Sequence, residues 1–384
     1  MSVPITAEGG VSIIVPTWNR SELLDVMLAS LFRERSAFTG PSEVIVVDSS
    51  EDEERRNIEA SCKRYDAILL DGEQNVRKKR NLGVDHARYA LLLFIDSDVV
   101  VEPGLIQAHI RAYDRPGVVV GAAQGLTEFV GKGGFWWHVA ELSGLTDSFS
   151  NARKYPFQSW SITNNLSVRR DVFERIGRFC DTFPFRLGGD DLEMSYRIAH
   201  EGLMIASAPE AITLHTKETW DNPHALLDRT KRWGFMESRV CDLHPELYKF
   251  VIPKNYVFVL PLTALFAIAG ALQATSGSPA VGLYGAAALI ALWAIERYAI
   301  ACRQNTGLVN PVHLLLAVFF NARYEAFRLA GHFSLGKRAP EVHGMVFNRY
   351  MALGSLKPDA RRLKRLFITI AFVFMCMVVL ARVL

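Results

Sequence analysis

Residues 90–98 read Ala-Leu-Leu-Leu-Phe-Ile-Asp-Ser-Asp. The apolar run is the length of a strand rather than a helix, and its lack of alternation marks a strand buried on both faces. Two carboxylates one residue apart then stand at its carboxyl end. Hard divalent cations take such oxygen ligands, and Asp96 with Asp98 is placed to hold one against a diphosphate.

The elements upstream repeat this form. Val11-Ser12-Ile13-Ile14-Val15 is a β-rich run closed by Pro16, after which Ser21-Glu22-Leu23-Leu24 opens a helix. Glu43-Val44-Ile45-Val46-Val47 ends at Asp48, residues 56–65 read as a helix, 68–70 as a strand and 78–89 as a helical stretch. Apolar strands alternating with amphipathic helices predict an α/β, Rossmann-like, mostly parallel sheet with helices on both faces. In such sheets ligands bind beyond the carboxyl ends of the strands. Three strands bring polar residues to that edge: Thr17 with Asn19, Asp48 with Ser49, and Asp96 with Asp98.

Composition sets the wider frame. The 384 residues are about two domains' worth, and the 50% hydrophobic content is concentrated in blocks. Asn255 to Ile295 contains no Asp, Glu, Lys, Arg or His. Since a span needs roughly 20 apolar residues, the stretch predicts two transmembrane helices, about 256–274 and 280–298. A third candidate lies at about 366–382, with a buried helix as its alternative. Residues about 311–335 read as a helix lying on the membrane surface, or as a further span. Basic residues flanking these blocks put the catalytic part on the cytoplasmic side by the positive-inside rule, and Met1 to Gly10 lacks a signal-peptide pattern. The expected organisation is a cytosolic catalytic domain over residues 1–250 and an α-helical membrane domain over 251–384, a multi-pass membrane protein. A net charge of +3 gives no support for a nucleic-acid partner. Five scattered cysteines lack metal-ligand spacing and fit a reducing compartment.

Four motifs in order, Val-Pro-Thr-Trp-Asn-Arg at 15–20, Val-Val-Asp-Ser-Ser at 46–50, Arg-Lys-Lys-Arg-Asn-Leu-Gly at 77–83 and Phe-Ile-Asp-Ser-Asp at 94–98, resemble the nucleotide-sugar half of a family 2 glycosyltransferase. The resemblance covers about half the chain. It implies a GT-A fold, a nucleotide-diphosphate sugar donor, Mn²⁺ or Mg²⁺ as cofactor and inversion at the anomeric carbon. By position, Thr17 and Asp48 are similar to base-contacting residues, with Pro16 and Asn19 beside them. Arg80 is similar to a residue near the nucleotide, and Asp96 and Asp98 to the DxD pair. Asp98 is the expected metal ligand, and Asp96 is expected to reach the ribose or a metal-bound water.

A second acidic group, Asp190-Asp191-Leu192-Glu193, precedes Arg197. The resemblance aligns Asp191 with the general base that takes the acceptor's proton, while Asp190 and Glu193 depart from the family's usual acids and are expected to orient the acceptor or neighbouring basic groups. His215, at the end of Ala211-Ile212-Thr213-Leu214, is a candidate metal ligand, with a structural histidine as the alternative. Arg229, Arg232 and Trp233 fit a pattern seen in ceramide glucosyltransferases and polysaccharide synthases, where they meet the diphosphate and acceptor; an interfacial helix needs the same residue types. Trp160 and Thr163-Asn164-Asn165 are candidates for the donor sugar. Trp136 and Trp137 either pack in a core or line an acceptor groove or interface.

The function expected is metal-dependent transfer of one sugar, from a UDP-sugar by preference, to a membrane lipid or lipid-linked glycan. The alternatives are a processive polysaccharide synthase and a catalytically inert nucleotide-sugar-binding scaffold.

Overall fold

The computed structural model describes residues 5–158, 160–182, 188–244, 249–250, 256–275, 281–304, 308–335, 343–344 and 368. They fall into two compact units. The first comprises residues 1–137 and 144–225, the second 138–143 and 226–384.

The first unit opens with β1 (Val11–Thr17), α1 (Ser21–Ala37), β2 (Ser42–Asp48), α2 (Asp52–Arg64), β3 (Ile68–Asp71), α3 (Val76–His86) and β4 (Leu91–Ile95). It continues through β5 (Val99–Val101), α4 (Leu105–Arg111), β6 (Val120–Val130), α5 (Phe135–Ser143, which runs into the second unit), α6 (Asn151–Lys154), β7 (Phe157–Gln158) and β8 (Asn165–Arg169). It closes with α7 (Arg170–Ile176), α8 (Asp190–His200) and β9 (Met204–Thr216). One sheet runs in the order β3-β2-β1-β4-β8-β6-β9-β5, with β7 pairing β9.

Both faces of this sheet are buried, which is why its strands read as unbroken apolar runs. Alternate residues point to opposite faces. Ile13, Val15, Leu93 and Ile95 pack on one side with Leu24, Met27 and Leu31 of α1 and Leu105 and Ile106 of α4. Ile14, Leu92 and Phe94 pack on the other with Val84 of α3, Phe173 of α7 and Met194 and Ile198 of α8.

The sheet is mixed rather than mostly parallel. β3, β2, β1 and β4 are parallel neighbours, as are β6 and β9, whereas β8 is antiparallel to β4 and β6, and β5 and β7 are antiparallel to β9. A parallel neighbour needs a crossover of a dozen or more residues. After Asp96 the chain turns directly into β5, without one.

A buried polar network lies behind β4. The Asn165 amide donates to the carbonyls of Leu126 (3.2 Å) and Ala211 (2.8 Å), so its oxygen faces His109 Nε2 at 2.8 Å. That nitrogen must carry the proton, and Nδ1 accepts from the Ser167 hydroxyl at 3.0 Å. Burial pushes the imidazole down to about 4.

The second unit contains the helices α9 (Pro223–Leu243, whose first residues belong to the first unit), α10 (Tyr256–Thr275), α11 (Val281–Gln304) and α12 (Pro311–Ser334), with a short pair β10 (Lys249–Phe250) and β11 (His343–Gly344). α10 and α11 approach closely at Gly270 and Gly282, where a Cβ on Gly270 would meet the Leu283 backbone nitrogen at 2.3 Å.

The expected membrane spans are corrected here. Among the described residues no helix is long and apolar enough to cross a membrane. The sequence of α10 includes Pro261, Thr263, Gln273 and Thr275, and that of α11 turns charged at Glu296 and Arg297. These polar and charged residues interrupt both apolar runs. In α12, the segment expected to lie on a membrane surface, Glu325 and Arg328 are buried and paired at 2.6 Å, so that face packs on protein. The multi-pass localisation, and the cytoplasmic placement that depended on it, have no support left. The third expected span, apart from Ile368, lies outside the described residues.

The His109 network sets a pH dependence. The unfolded imidazole takes a proton near 6.5, while the native one resists it until about 4. The unfolded state thus binds more protons in that window, and stability is lost as pH falls through it. Urea unfolding from pH 7 to 4 should show His109→Gln less stable at neutral pH and flatter in its pH slope, the difference between the slopes integrating to about 3 kcal/mol. Equal slopes in the two proteins would refute this.

Candidate active site

The carboxyl ends of the parallel strands form one floor. Thr17 pairs in register with Asp48, and Asp48 with Asp71. Both Thr17 and Asp48 are buried, and Pro16 lies beside Val47 within the ladder. Thr17 Oγ1 is buried without a hydrogen-bond partner among the described residues, while the Thr17 carbonyl accepts from Lys79 Nζ at 2.5 Å. Asp48 accepts from the Ser50 hydroxyl (2.7 Å), the Ser50 N–H (3.0 Å) and Arg55 (3.3 Å). Asn19 turns the chain out of β1 with φ of 49°, a left-handed conformation that Asn tolerates. Its N–H reaches Ser50 Oγ at 2.7 Å.

α3 lies over this floor because Gly83 has no side chain, a Cβ there meeting Ile14 Cγ2 at 2.5 Å. Asn75 caps the helix by accepting from the Arg77 N–H at 3.0 Å. Three cations follow on its buried side: Arg77, Lys79 and Arg80. Burial pushes the Lys79 amine down to about 8, against the pull of Asp48.

The DxD pair is built by two strand pairings. The Asp96 N–H donates to the Asn164 carbonyl at 3.3 Å, continuing the β4–β8 ladder. One turn later Val99 pairs with His215, which sets Asp98 beside the imidazole, Nε2 lying 3.6 Å from Asp98 Oδ2. His215 Nδ1 faces the Thr216 carbonyl at 2.8 Å. Burial alone would lower the His215 pKa, and the Asp98 carboxylate reverses this and raises it. Asp98 is in turn held below the usual carboxylate range: burial opposes its ionisation, but His215 and Arg20 outweigh it, Arg20 Nη1 meeting Oδ2 at 2.5 Å. Asp96 is shifted the other way, raised by its enclosure and by Asp98 against the pull of Arg80. Its side chain nevertheless keeps 36% of its surface, against 8% for Asp98, so Asp96 is the one open to a ligand.

These residues fit one hard divalent cation. Asp98 Oδ1 is buried with no hydrogen-bond partner among the described residues, and His215 turns its second nitrogen toward the same carboxylate. Among the described residues no group of three or more His, Cys, Asp or Glu comes together as a metal site. Asp98 and His215 would hold the cation, which would then be free to take phosphate oxygens of a bound nucleotide as well.

The second acidic group opens α8. Gly189 precedes it with φ of 92°, and Asp190, Asp191 and Glu193 fill the first turn, where the helix dipole favours negative charge. Their environments differ. Asp190 is buried between Arg77 Nε (3.4 Å) and Arg80 Nη1 (3.0 Å). Glu193 is buried and doubly bonded to Arg197, at 2.7 Å for each contact, and Arg197 also donates to the carbonyls of Ile176, Gly177 and Arg178. Asp191 accepts from the Leu192 N–H at 2.8 Å. Enclosure and the adjacent Asp190 push it up to about 7. Next to this turn, Ser195 Oγ donates to the Asp191 carbonyl at 2.6 Å and meets Ser161, one residue beyond the half-buried Trp160.

The structure thus gathers Thr17, Asn19, Asp48, Arg80, Asp96, Asp98, Asp190, Asp191, Glu193 and His215 in one unit. Arg229, Arg232 and Trp233 lie on α9 in the second unit, where Arg232 pairs with Asp228 at 2.7 Å. Trp137 is core: with Phe129, Phe149 and Trp220 it forms an aromatic cluster in which the Phe129 ring also lies 5.3 Å from His215. Arg20, Arg77 and Lys79 were not singled out from the sequence. Each stands inside a quoted motif, and the three-residue spacing of Arg77 and Arg80 puts both on one helix face.

Residues 12–177 match the glycosyl transferase family 2 model. The chain is 28% identical over 228 residues to validoxylamine A glucosyltransferase of Streptomyces hygroscopicus subsp. jinggangensis, covering 52% of this chain and 54% of that one. It is 25% identical over 244 residues to chondroitin synthase of Escherichia coli, covering 54% of this chain and 34% of the relative. The chain therefore spans about half or less of the length of these relatives. Among solved structures it resembles mannosyltransferase PcManGT from Pyrobaculum calidifontis, in complex with GDP-Man and Mn²⁺, with a TM-score of 0.52 at 19% identity over 81% of this chain and 86% of that one, a likeness of fold. With its mixed α/β sheet and two acidic groups, this chain is a glycosyltransferase by these likenesses, similar over residues 12–177 to glycosyl transferase family 2.

Proposed function

We propose that the protein is a metal-dependent inverting glycosyltransferase that moves one sugar from a nucleotide-diphosphate sugar to an acceptor hydroxyl, with Asp191 as general base. One observation carries the reading. Of the acids at the α8 turn, Asp190 and Glu193 are engaged by guanidinium groups, and Asp191 is the one whose proton affinity is raised to about 7. A base whose pKa lies near the working pH is the efficient one.

The donor end follows from the strand edge. Asp96 is accessible enough to meet a ribose hydroxyl, and Asp98 with His215 would hold the cation. When bound, Mn²⁺ or Mg²⁺ neutralises the charge that gathers on the leaving diphosphate. Arg20 adds fixed positive charge at the same carboxylate. A UDP-sugar is the preferred donor on this reading, because a carboxylate at Asp48 suits the imide N–H of uracil.

The expected lipid or lipid-linked acceptor rested on the membrane spans and loses its argument with them. The acceptor is described by chemistry alone, a hydroxyl presented to Asp191, and Trp160 is its proposed neighbour on the same wall. Arg229, Arg232 and Trp233 remain proposals for diphosphate or acceptor contacts.

Two outcomes test this reading. With the donor that is turned over, kcat/KM should rise with pH through about 7, because Asp191 must lose its proton to act. Asp191→Asn should lower turnover by about 10²–10⁴-fold while calorimetry finds UDP binding with Mn²⁺ unchanged. Full turnover in that variant would remove Asp191 from the role. Separately, UDP at about 100 times its Kd with Mn²⁺ should stabilise the native protein by about 2.7 kcal/mol, and Asp98→Asn should lose the Mn²⁺-dependent part of that gain in a thermal melt. Stabilisation that ignores Mn²⁺ in the parent protein would overturn the metal site.

A further inference from the structure

We propose that Asp190 is a positioning residue that ties the Asp191 turn to the donor carboxylate Asp96 through the buried guanidinium of Arg80. The inference rests on Asp191 being the base. Its grounds are three contacts. Arg80 Nη1 meets Asp190 Oδ2 at 3.0 Å, Arg80 Nη2 meets Asp96 Oδ1 at 3.2 Å, and Arg77 Nε closes on Asp190 Oδ1 at 3.4 Å. The side chains of Arg77, Arg80 and Asp190 keep no more than 7% of their surface, so the bridge sits in low dielectric. The Arg80 guanidinium also lies over the Phe179 ring, 5.6 Å from its centroid, which fixes its plane.

An acceptor contact needs an open face, and Asp190 has none. Both of its oxygens are taken by cations from α3, a helix separated from it by more than a hundred residues of chain. Its carboxylate therefore acts through position and charge. It anchors the first turn of α8 against α3, and it holds a negative charge one residue from Asp191. Among the described residues, the charged groups that bear on Asp191 are Asp190 on its own helix, which raises its proton affinity, and Arg80 on α3, which lowers it. Arg80 is shared with Asp96, so whatever engages Asp96 changes how firmly Arg80 holds Asp190. The donor and base ends of the site are connected by this one side chain.

The test is a direct titration of Asp191 in the full chain, with ¹³C-carboxyl-labelled aspartate observed by NMR and the resonance identified by its loss in Asp191→Asn. Asp190→Asn removes a like charge and should move the Asp191 midpoint down by about one unit. Asp190→Glu keeps the charge and should leave the midpoint close to the parent's. Arg80→Gln removes the cation that lowers it and should move it up. A merely loosened turn would expose Asp191 to water and move the midpoint down in Asp190→Asn and Arg80→Gln alike, which overturns the proposal. An unmoved midpoint in Asp190→Asn also overturns it. If Asp190→Asn does not fold, Arg80→Gln decides alone, with an upward shift supporting the proposal and any other result refuting it. The base reading fails separately, by full turnover in Asp191→Asn, whatever the titration gives.

Discussion

The buried contact of Arg80 with two carboxylates is the constraint on which the site depends. A guanidinium taken out of water must be paired and hydrogen-bonded, since an uncompensated buried charge costs several kcal/mol. Asp190 and Asp96 lie far apart in sequence, and together they compensate the charge of Arg80. Arg offers donors in a rigid fork, so one side chain can hold two acids at a fixed separation. A lysine could satisfy the charge but not the geometry. The ion pairs therefore fix α3, α8 and the end of β4 relative to one another, and the apolar packing of Phe94, Phe173 and Phe179 fills the space behind them.

The DxD pair depends on a different device. Its position is set by strand register rather than by the turn itself. β4 hydrogen-bonds to β8 and places Asp96, while the three-residue β5 pairs with β9 and places Asp98 against His215. The polar network of His109, Asn165 and Ser167 lies directly behind this junction. Buried polar groups need complete partners, and these have them, so the sheet can carry a wet edge on a rigid backing.

The sequence made some of this legible and hid the rest for identifiable reasons. Val11–Val15, Glu43–Val47 and Ala90–Ile95 are strands buried on both faces, and such runs can be read without knowing their neighbours. Their polar ends, Thr17, Asp48 and Asp96, therefore fell on the correct edge. The antiparallel half was not legible, because pairings such as Val99 with His215 join residues more than a hundred apart and leave no local pattern. The sequence leads one to expect that Asp190 and Glu193 orient the acceptor or neighbouring basic groups, and the structure gives both of them basic partners. Glu193 pairs with Arg197 one helical turn away, whereas Arg77 and Arg80, the partners of Asp190, lie too far away in sequence to be read as its neighbours. The membrane expectation came from apolar content alone, and among the described residues no helix is long and apolar enough to cross a membrane.

One residue type serves opposite ends of the reaction because its surroundings differ. Against the cost of burial, the His215 hydrogen bond and the Arg20 guanidinium hold Asp98 below the usual carboxylate range, as suits a cation ligand. Asp191 is enclosed beside another carboxylate, and its proton affinity climbs to the range where a proton can be taken up and released. Exchanging the two environments would spoil both functions. A raised Asp98 would compete for protons with its metal, and a lowered Asp191 would be too weak a base to assist a sugar hydroxyl. The separation of these two environments is maintained by Arg80. It supplies Asp96 with a counter-charge on the donor side and binds Asp190 rather than Asp191, so that among the described residues the base has no direct cation partner of its own.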